Sequence, residues 1–70
     1  MHKTVIAMWT PGSSMITVRD ERGCLVGNIY NGQVPLSVHA NGSKVFCVGK
    51  GATTVYECAD HPTLINTFWN

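Results

Sequence analysis

Two Asn-Gly dipeptides, Asn31-Gly32 and Asn41-Gly42, flank residues 33–40 (QVPLSVHA) and constrain the fold more than any other feature of the chain. Asn-Gly between extended apolar segments is the strongest short-range signal for a β-hairpin, because a type I′ turn needs a positive φ at both central residues. The pattern therefore predicts that residues 33–40 form one strand that pairs with a neighbour on each side. We expect the register of that strand to fix the register of the whole sheet.

The composition indicates one small globular domain that spans residues 1–70. The chain is 44% hydrophobic and 13% charged, with a net charge of +1, which excludes a disordered chain and disfavours a strongly electrostatic partner. Ordering a chain of this length costs roughly 100 kcal/mol of conformational entropy, which a core of this size barely offsets. We therefore expect a further source of stability, such as barrel closure, oligomerisation, a disulfide or a metal ion.

Short apolar runs separated by turn residues predict six or seven β-strands. Residues 4–9 are apolar on both faces, which suits a central or closing strand better than an edge strand. The last run, residues 64–69, is compatible with either a strand or a short capped helix. Between these two lie four further predicted strands beside residues 33–40, at residues 15–19, 24–30, 43–48 and 52–58.

Three independently chosen turns place the apolar side chains on one face of the predicted sheet. In this register Leu25 faces both Val18 and Val38, and Val38 also faces Val45. The turn at Lys50-Gly51 leaves a choice: an even-length loop puts Thr54, Tyr56 and Cys58 on the apolar face, whereas an odd-length loop puts Val55 and Glu57 there. We favour the even loop, because it buries no carboxylate. The predicted apolar face consists of Ile16, Val18, Leu25, Ile29, Val34, Leu36, Val38, Ala40, Val45 and Cys47.

The predicted fold class is all-β, a small antiparallel meander of six or seven short strands. A meander with one apolar face and no covering helix must close into a barrel or sandwich, or be completed by homo-oligomerisation. Residues 16–32 and 36–51 share a strand–turn–strand–glycine plan, with residues 53–69 as a degraded third copy. Any meander of hairpins produces such matches, so we interpret the pattern as a meander and not as a true repeat.

No arrangement of residues predicts catalysis, a metal site or a cofactor. Cys24, Cys47 and Cys58 are an odd, scattered set, which is typical of reduced thiols. Cys58-x-x-His61 supplies only half of a zinc site, since structural zinc needs four Cys or His ligands. The glycines around Lys50 lack the spacing of a phosphate-binding loop and favour a hairpin turn. The sequence therefore predicts a protein that is not an enzyme.

Two groups of residues are candidates for binding. On the face opposite the predicted apolar face, which we call the predicted polar face, cationic side chains alternate with aromatic rings. Sheet modules that hold single-stranded nucleic acid have such a surface. The aromatic pair Phe68-Trp69 suits either core packing or docking of a second subunit or target, because aromatic residues dominate interface hot spots. The binding residues of the polar face are Arg19, Tyr30, His39, Lys44 and Phe46.

From these observations we expect a small non-catalytic binding module that acts through a protein surface, with a protein partner or a second copy of itself. In size and style the chain is similar to the short accessory proteins with which phages and other mobile elements inhibit host proteins, an analogy only. The alternative is a single-stranded nucleic-acid or nucleotide binder. No apolar run reaches the ~20 residues of a membrane span, and the N-terminal run is too short for a signal peptide. A cytoplasmic location without membrane contact is therefore expected.

Overall fold

The computed structural model describes residues 4–69, and within that span the chain forms antiparallel β-strands and no helix. The strands form a three-stranded sheet of order β1-β2-β3 and a four-stranded sheet of order β4-β5-β6-β7. Their bounds are β1 (Val5–Met8), β2 (Met15–Asp20), β3 (Leu25–Tyr30), β4 (Ser37–Asn41), β5 (Lys44–Val48), β6 (Ala52–Glu57) and β7 (Thr63–Trp69).

The apolar core lies between the two sheets, which do not close into a barrel. The sheets meet where β1 lies beside β4 and β5. At this junction the backbone N–H of Val5 donates to the carbonyl oxygen of Gly42 at 2.8 Å. The small antiparallel all-β fold predicted from the turns is therefore confirmed. The buried core side chains are Val5, Ile16, Val18, Ile29, Val45, Cys47 and Cys58.

The prediction that Asn31-Gly32 closes a hairpin is wrong. Neither residue has a positive φ, and the backbone N–H of Asn31 instead donates to Ser14, which continues the pairing of β3 with β2. The chain then crosses from one sheet to the other through Pro35, which is buried. A two-residue hairpin here would place Pro35 opposite Asn28 at a hydrogen-bonded position, where proline has no N–H to donate. As a result β4 is an edge strand and not a strand paired on both sides.

The second predicted turn forms, but one residue later than expected. Gly42 and Ser43 are its central residues, because Asn41 pairs with Lys44. Gly42 has a φ of 61° and Ser43 a negative φ, the pattern of a type II′ turn with glycine first. The shift moves Val38 from its expected partner to Cys47. Because the pairing moves by two residues, the side chains stay on their predicted face.

Leu25 lies on the opposite face from the one predicted. Val18 pairs with Gly27 and Arg19 pairs with Leu25, so Val26 is an extra residue that forms a β-bulge. The bulge turns Leu25 outward, where it is 58% exposed, while Val26 packs against the core. Val34 and Leu36, predicted to face inward, lie in the crossing segment and are also exposed.

Two predictions concern the rest of the four-stranded sheet and the first strand. The even-length loop at Lys50-Gly51 is confirmed, since Cys47 pairs with Thr54. Residues 64–69 form a strand and not a helix. Residues 4–9, expected to form a central or closing strand and not an edge strand, contain β1, which is at the edge of its own sheet with β4 alongside it.

The hairpin formed by β2 and β3 recurs as the hairpin formed by β6 and β7, with the same bulge in the same place. In each hairpin the bulge follows a valine of the first strand, and the extra residue is Val26 in one and Ile65 in the other. The flanking pairs are Val18↔Gly27 and Arg19↔Leu25 in the first hairpin, and Val55↔Asn66 and Tyr56↔Leu64 in the second.

The preceding strands extend this correspondence. Ala7 of β1 pairs with Val18, just as Phe46 of β5 pairs with Val55. Strands β1–β3, the first unit, and strands β5–β7, the second unit, are therefore two copies of one three-stranded pattern. Within each sheet the strands follow one another as in the predicted meander. The correspondence in register joins residues 16–32 with residues 53–69, whereas residues 36–51 supply β4 and β5.

The two units present opposite faces to the core. Ile29 of the first unit points inward and is 2% exposed. Its equivalent in the second unit, Phe68, lies on the outward face, because side chains alternate along a strand and Val45 and Cys47 occupy the inward face. The two units consequently stack in the same orientation. The first unit contributes its inward face to the core. The second unit contributes the face whose positions correspond to the outward face of the first unit.

Candidate binding surfaces

The candidate residues of the predicted polar face are divided between the outward faces of the two sheets. Arg19 and Tyr30 lie on the three-stranded sheet. His39, Lys44 and Phe46 share the outward face of the four-stranded sheet, since His39 pairs with Phe46 and Lys44 lies two residues before it. The structure therefore brings together two subsets of the predicted site and separates them from each other by the core.

The outward face of the three-stranded sheet, which we call the front face, is rich in large exposed apolar side chains. Two of them, Ile6 and Met8, come from β1, which the sequence shows to be apolar on both faces. Leu25 reaches this face through the bulge, which sequence patterns do not reveal. The exposed fractions are Ile6 50%, Met8 53%, Met15 39%, Leu25 58% and Tyr30 74%.

Arg19 lies within the front face, between these apolar side chains. It pairs with Ile6 on one side and Leu25 on the other. Its guanidinium donates from Nη1 to the carbonyl oxygen of Gly23 at 3.0 Å, a bond that holds the side chain along the sheet toward the β2–β3 loop. The front face therefore combines a large apolar area with one oriented cation.

The outward face of the four-stranded sheet, which we call the back face, has a different character. Val55 is 4% exposed at its centre, paired with the half-buried Phe46 on one side and with Asn66 on the other. Phe68 is 53% exposed and His39 is also exposed. This face has an aromatic centre and a polar margin.

Lys44, the cation of the back face, is paired. Its ammonium lies 3.3 Å from Oε1 of Glu57, and the hydroxyl of Ser43 donates to the other carboxylate oxygen of Glu57. The Ser43 hydrogen bond is the main cause that lowers the pKa of Glu57, with a further lowering by Lys44 and opposition from burial. The local charge is thus balanced, which makes Lys44 a weaker phosphate ligand than an unpaired lysine.

The aromatic pair Phe68-Trp69 is exposed and not part of the core. The two side chains point to opposite sides of β7, because they are adjacent in a strand. Trp69 is 82% exposed and borders a pocket of about 240 Å³ between the end of β7 and the crossing segment. The lining residues include no charged side chain; they are Asn31, Gly32, Gln33, Gly49, Ala52, Thr54, Thr67 and Trp69.

The thiols and histidines do not form a metal-binding group in the part of the chain that the structure describes. Cys47 and Cys58 are buried in the core, whereas Cys24 is exposed at the start of β3. Burial raises the pKa of Cys58 to about 11 and also raises the pKa of Cys47. Across residues 4–69, no three His, Cys, Asp or Glu side chains lie close enough together to hold a metal ion.

Comparison with protein-family models finds no match, and comparisons with curated proteins and with solved structures find no significant match either. Among the described residues there is no helix of the length and hydrophobicity needed to cross a bilayer. Any functional conclusion must therefore come from the surfaces themselves.

Proposed function

We propose that this protein is a small non-catalytic binding module that acts through contact between its sheet surfaces and a protein. The observation that carries the proposal is the front face, on which the exposed apolar side chains of three adjacent strands lie side by side. Soluble proteins rarely leave a contiguous apolar patch open, and such patches mark sites of interaction.

The composition of the front face is typical of the centre of a protein interface. Met and Tyr are enriched at such centres, and Arg19 supplies the charged residue type that is also enriched there. Met8 and Met15 are flexible and polarisable, so they adapt to the shape of a partner. Tyr30, 74% exposed, offers a rigid ring with a polar tip.

A photo-crosslinker on the front face tests this proposal whatever the identity of the partner. We would replace Tyr30 by p-benzoyl-phenylalanine in the cells that make the protein, with His61, exposed in the loop before β7, as the control position. The proposal predicts discrete protein adducts at position 30 that disappear when Leu25→Arg is added to the same chain. Equal labelling at both positions, or none at position 30, would reject the front face as a protein-binding surface.

The alternative, a single-stranded nucleic-acid or nucleotide binder, is supported by exposed aromatic rings beside cations. It is weakened by the separation of Arg19 from Lys44 and by the pairing of Lys44 with Glu57. Fluorescence anisotropy of a labelled oligothymidylate at low and physiological salt tests it, because phosphate contacts make affinity fall steeply with salt. If the wild type binds the oligonucleotide and Arg19→Ala and Lys44→Ala do not, the alternative is supported. If the wild type does not bind the oligonucleotide, the alternative is rejected.

A further inference from the structure

We infer that the partner of the front face is a second copy of this chain, whose back face packs against it head to tail. The inference rests on the proposed function, since it names the protein that the front face binds. It follows from the correspondence between the two units, in which the same strand pattern is used twice and stacked in one orientation.

Inside the chain, one such stacking contact already exists. The inward face of the first unit, with Val18 and Ile29, packs on the inward face of the second unit, with Val45 and Cys47. The positions of the second unit that make this contact are the equivalents of the front-face positions of the first unit: Cys47 pairs with Thr54 as Met8 pairs with Thr17. The front face therefore uses the same strand positions as the surface of the second unit that covers the inward face of the first unit.

The back face shows the complementary deficit. Phe68 is the equivalent of Ile29, which the internal contact buries to 2% exposure, whereas Val55, the equivalent of Val18, is itself only 4% exposed. In the second unit Phe68 is 53% exposed, because no further sheet of the described chain lies on it. Each chain thus has one uncovered face of each kind among its described residues, and the internal contact is the precedent for packing one kind on the other.

A head-to-tail contact of this kind can be repeated from one copy to the next. β1 lies beside β4 and β5 at one side of the internal contact, and the loop before β7 approaches β3 at the other side. A heterologous contact that is repeated with a constant rotation closes into a ring or continues as a filament. Closed rings of radially arranged sheets contain about four to eight sheets, which corresponds to about two to four chains of two sheets each.

The small size of a single contact favours ring closure over an open chain of copies. A face three strands wide and five residues long covers on the order of a few hundred Å², less than the about 800 Å² per partner of a stable two-chain complex. A single head-to-tail contact is therefore weak. In a ring each chain makes two such contacts, and the second is intramolecular in character, which favours the closed form over open intermediates.

Sedimentation equilibrium over a range of protein concentrations tests the inference. The wild type should assemble to about two to four times the 7.6 kDa of one chain. Leu25→Arg on the front face and Phe68→Arg on the back face should each reduce the mass to that of one chain. His61→Arg, which adds a cation in an exposed loop, should leave the assembly intact. Near-ultraviolet circular dichroism shows whether each variant is folded, and Met8→Arg replaces Leu25→Arg if that variant is not.

Two results would overturn the inference. If only one of the two faces matters for the mass, the contact joins like faces and the head-to-tail arrangement is wrong. If the wild type stays a single chain at every concentration, the partner is not a second copy. In that case the proposed function is still judged separately, because the crosslinker at position 30 then yields either an adduct with a different protein or no adduct.

The crosslinked product supplies an independent readout. In the purified protein, a crosslinker at position 30 should attach to peptides of the back face, which contain Phe46 or Phe68. Attachment to a peptide of the front face, such as the one with Leu25, would contradict head-to-tail packing.

Discussion

Gly27 and Pro62 are in such close contact that no side chain fits between them: a Cβ on Gly27 would lie 2.6 Å from Cδ of the proline ring. Gly27 is in the middle of β3, and Pro62 is in the loop before β7, so this loop bridges the two sheets on the side away from β1 and β4. The glycine is therefore required by packing between the units.

Gly27→Ala should destabilise the fold by about 1–3 kcal/mol, because the rigid ring of Pro62 leaves overpacking as the only outcome. Urea denaturation followed by tryptophan fluorescence measures the loss. Gly32→Ala is the matched control, since nothing lies within 4 Å of its added methyl group. Equal stability of Gly27→Ala and Gly32→Ala would show that the sheets do not approach each other at this point.

In thiol labelling, one cysteine should react fast and the other two should react slowly. Cys24 is exposed, whereas Cys47 and Cys58 are buried and burial raises the pKa of both thiols, that of Cys58 to about 11. Since the thiolate is the reactive form, an aromatic disulfide reagent should modify Cys24 at once and the other two only when the protein unfolds. Cys24→Ser should abolish the fast phase; a fast phase that persists would place another thiol at the surface.

Acid should weaken the protein partly through Glu57. Because the Ser43 hydroxyl lowers the pKa of Glu57 in the folded protein, the associated stability is present above the pKa of the unfolded chain. It is lost as the pH falls through the lower, folded value. Ser43→Ala should therefore be less stable than wild type near neutral pH, with the difference shrinking as Glu57 is protonated.

The pH dependence separates this effect from simple loss of packing at Ser43. Denaturation midpoints of wild type and Ser43→Ala should converge as the pH falls. Ser37→Ala, which removes a hydroxyl at the start of β4, should show a constant difference from wild type across the range. A constant difference for Ser43→Ala would mean that the hydroxyl does not stabilise the carboxylate.

Equivalent positions in the two units should respond differently to truncation. Ile29→Ala removes a side chain that is 2% exposed and should cost about 2–5 kcal/mol at any protein concentration. Phe68→Ala removes a side chain that is 53% exposed, so its cost should be small in dilute solution and larger where the protein assembles. Chemical denaturation at low and high protein concentration compares the two. A concentration-independent cost for Phe68→Ala would indicate that the back face has no partner.

The turn chemistry and the period-2 alternation were sufficient to predict the strands and most of the core. Ile16, Val18, Ile29, Val45 and Cys47 are buried as expected, because each follows from alternation within one hairpin. Gly23 in the β2–β3 loop has a positive φ, which glycine adopts without strain. Local pattern was a reliable guide wherever partners are close in the sequence.

The division into two sheets was not predictable by the same means. Asn31-Gly32 has the residues of a hairpin turn, but Pro35 cannot donate to the strand that such a turn would create, and the chain crosses to a second sheet instead. The bulge that exposes Leu25 is equally invisible, since a single extra residue breaks the alternation between Leu25 and Ile29 and puts them on opposite faces. The sequence therefore does not predict the front face as an apolar surface, although it predicts Arg19 and Tyr30 as binding residues there.

The central claim is that the front and back faces of different copies contact each other, and a dilution series followed by heteronuclear NMR tests it most directly. As the concentration rises, the amide signals of Leu25 and Tyr30 on the front face and of Phe46 and Phe68 on the back face should shift or broaden together, with one common midpoint. Changes confined to one face, or spectra that do not depend on concentration, would contradict the account.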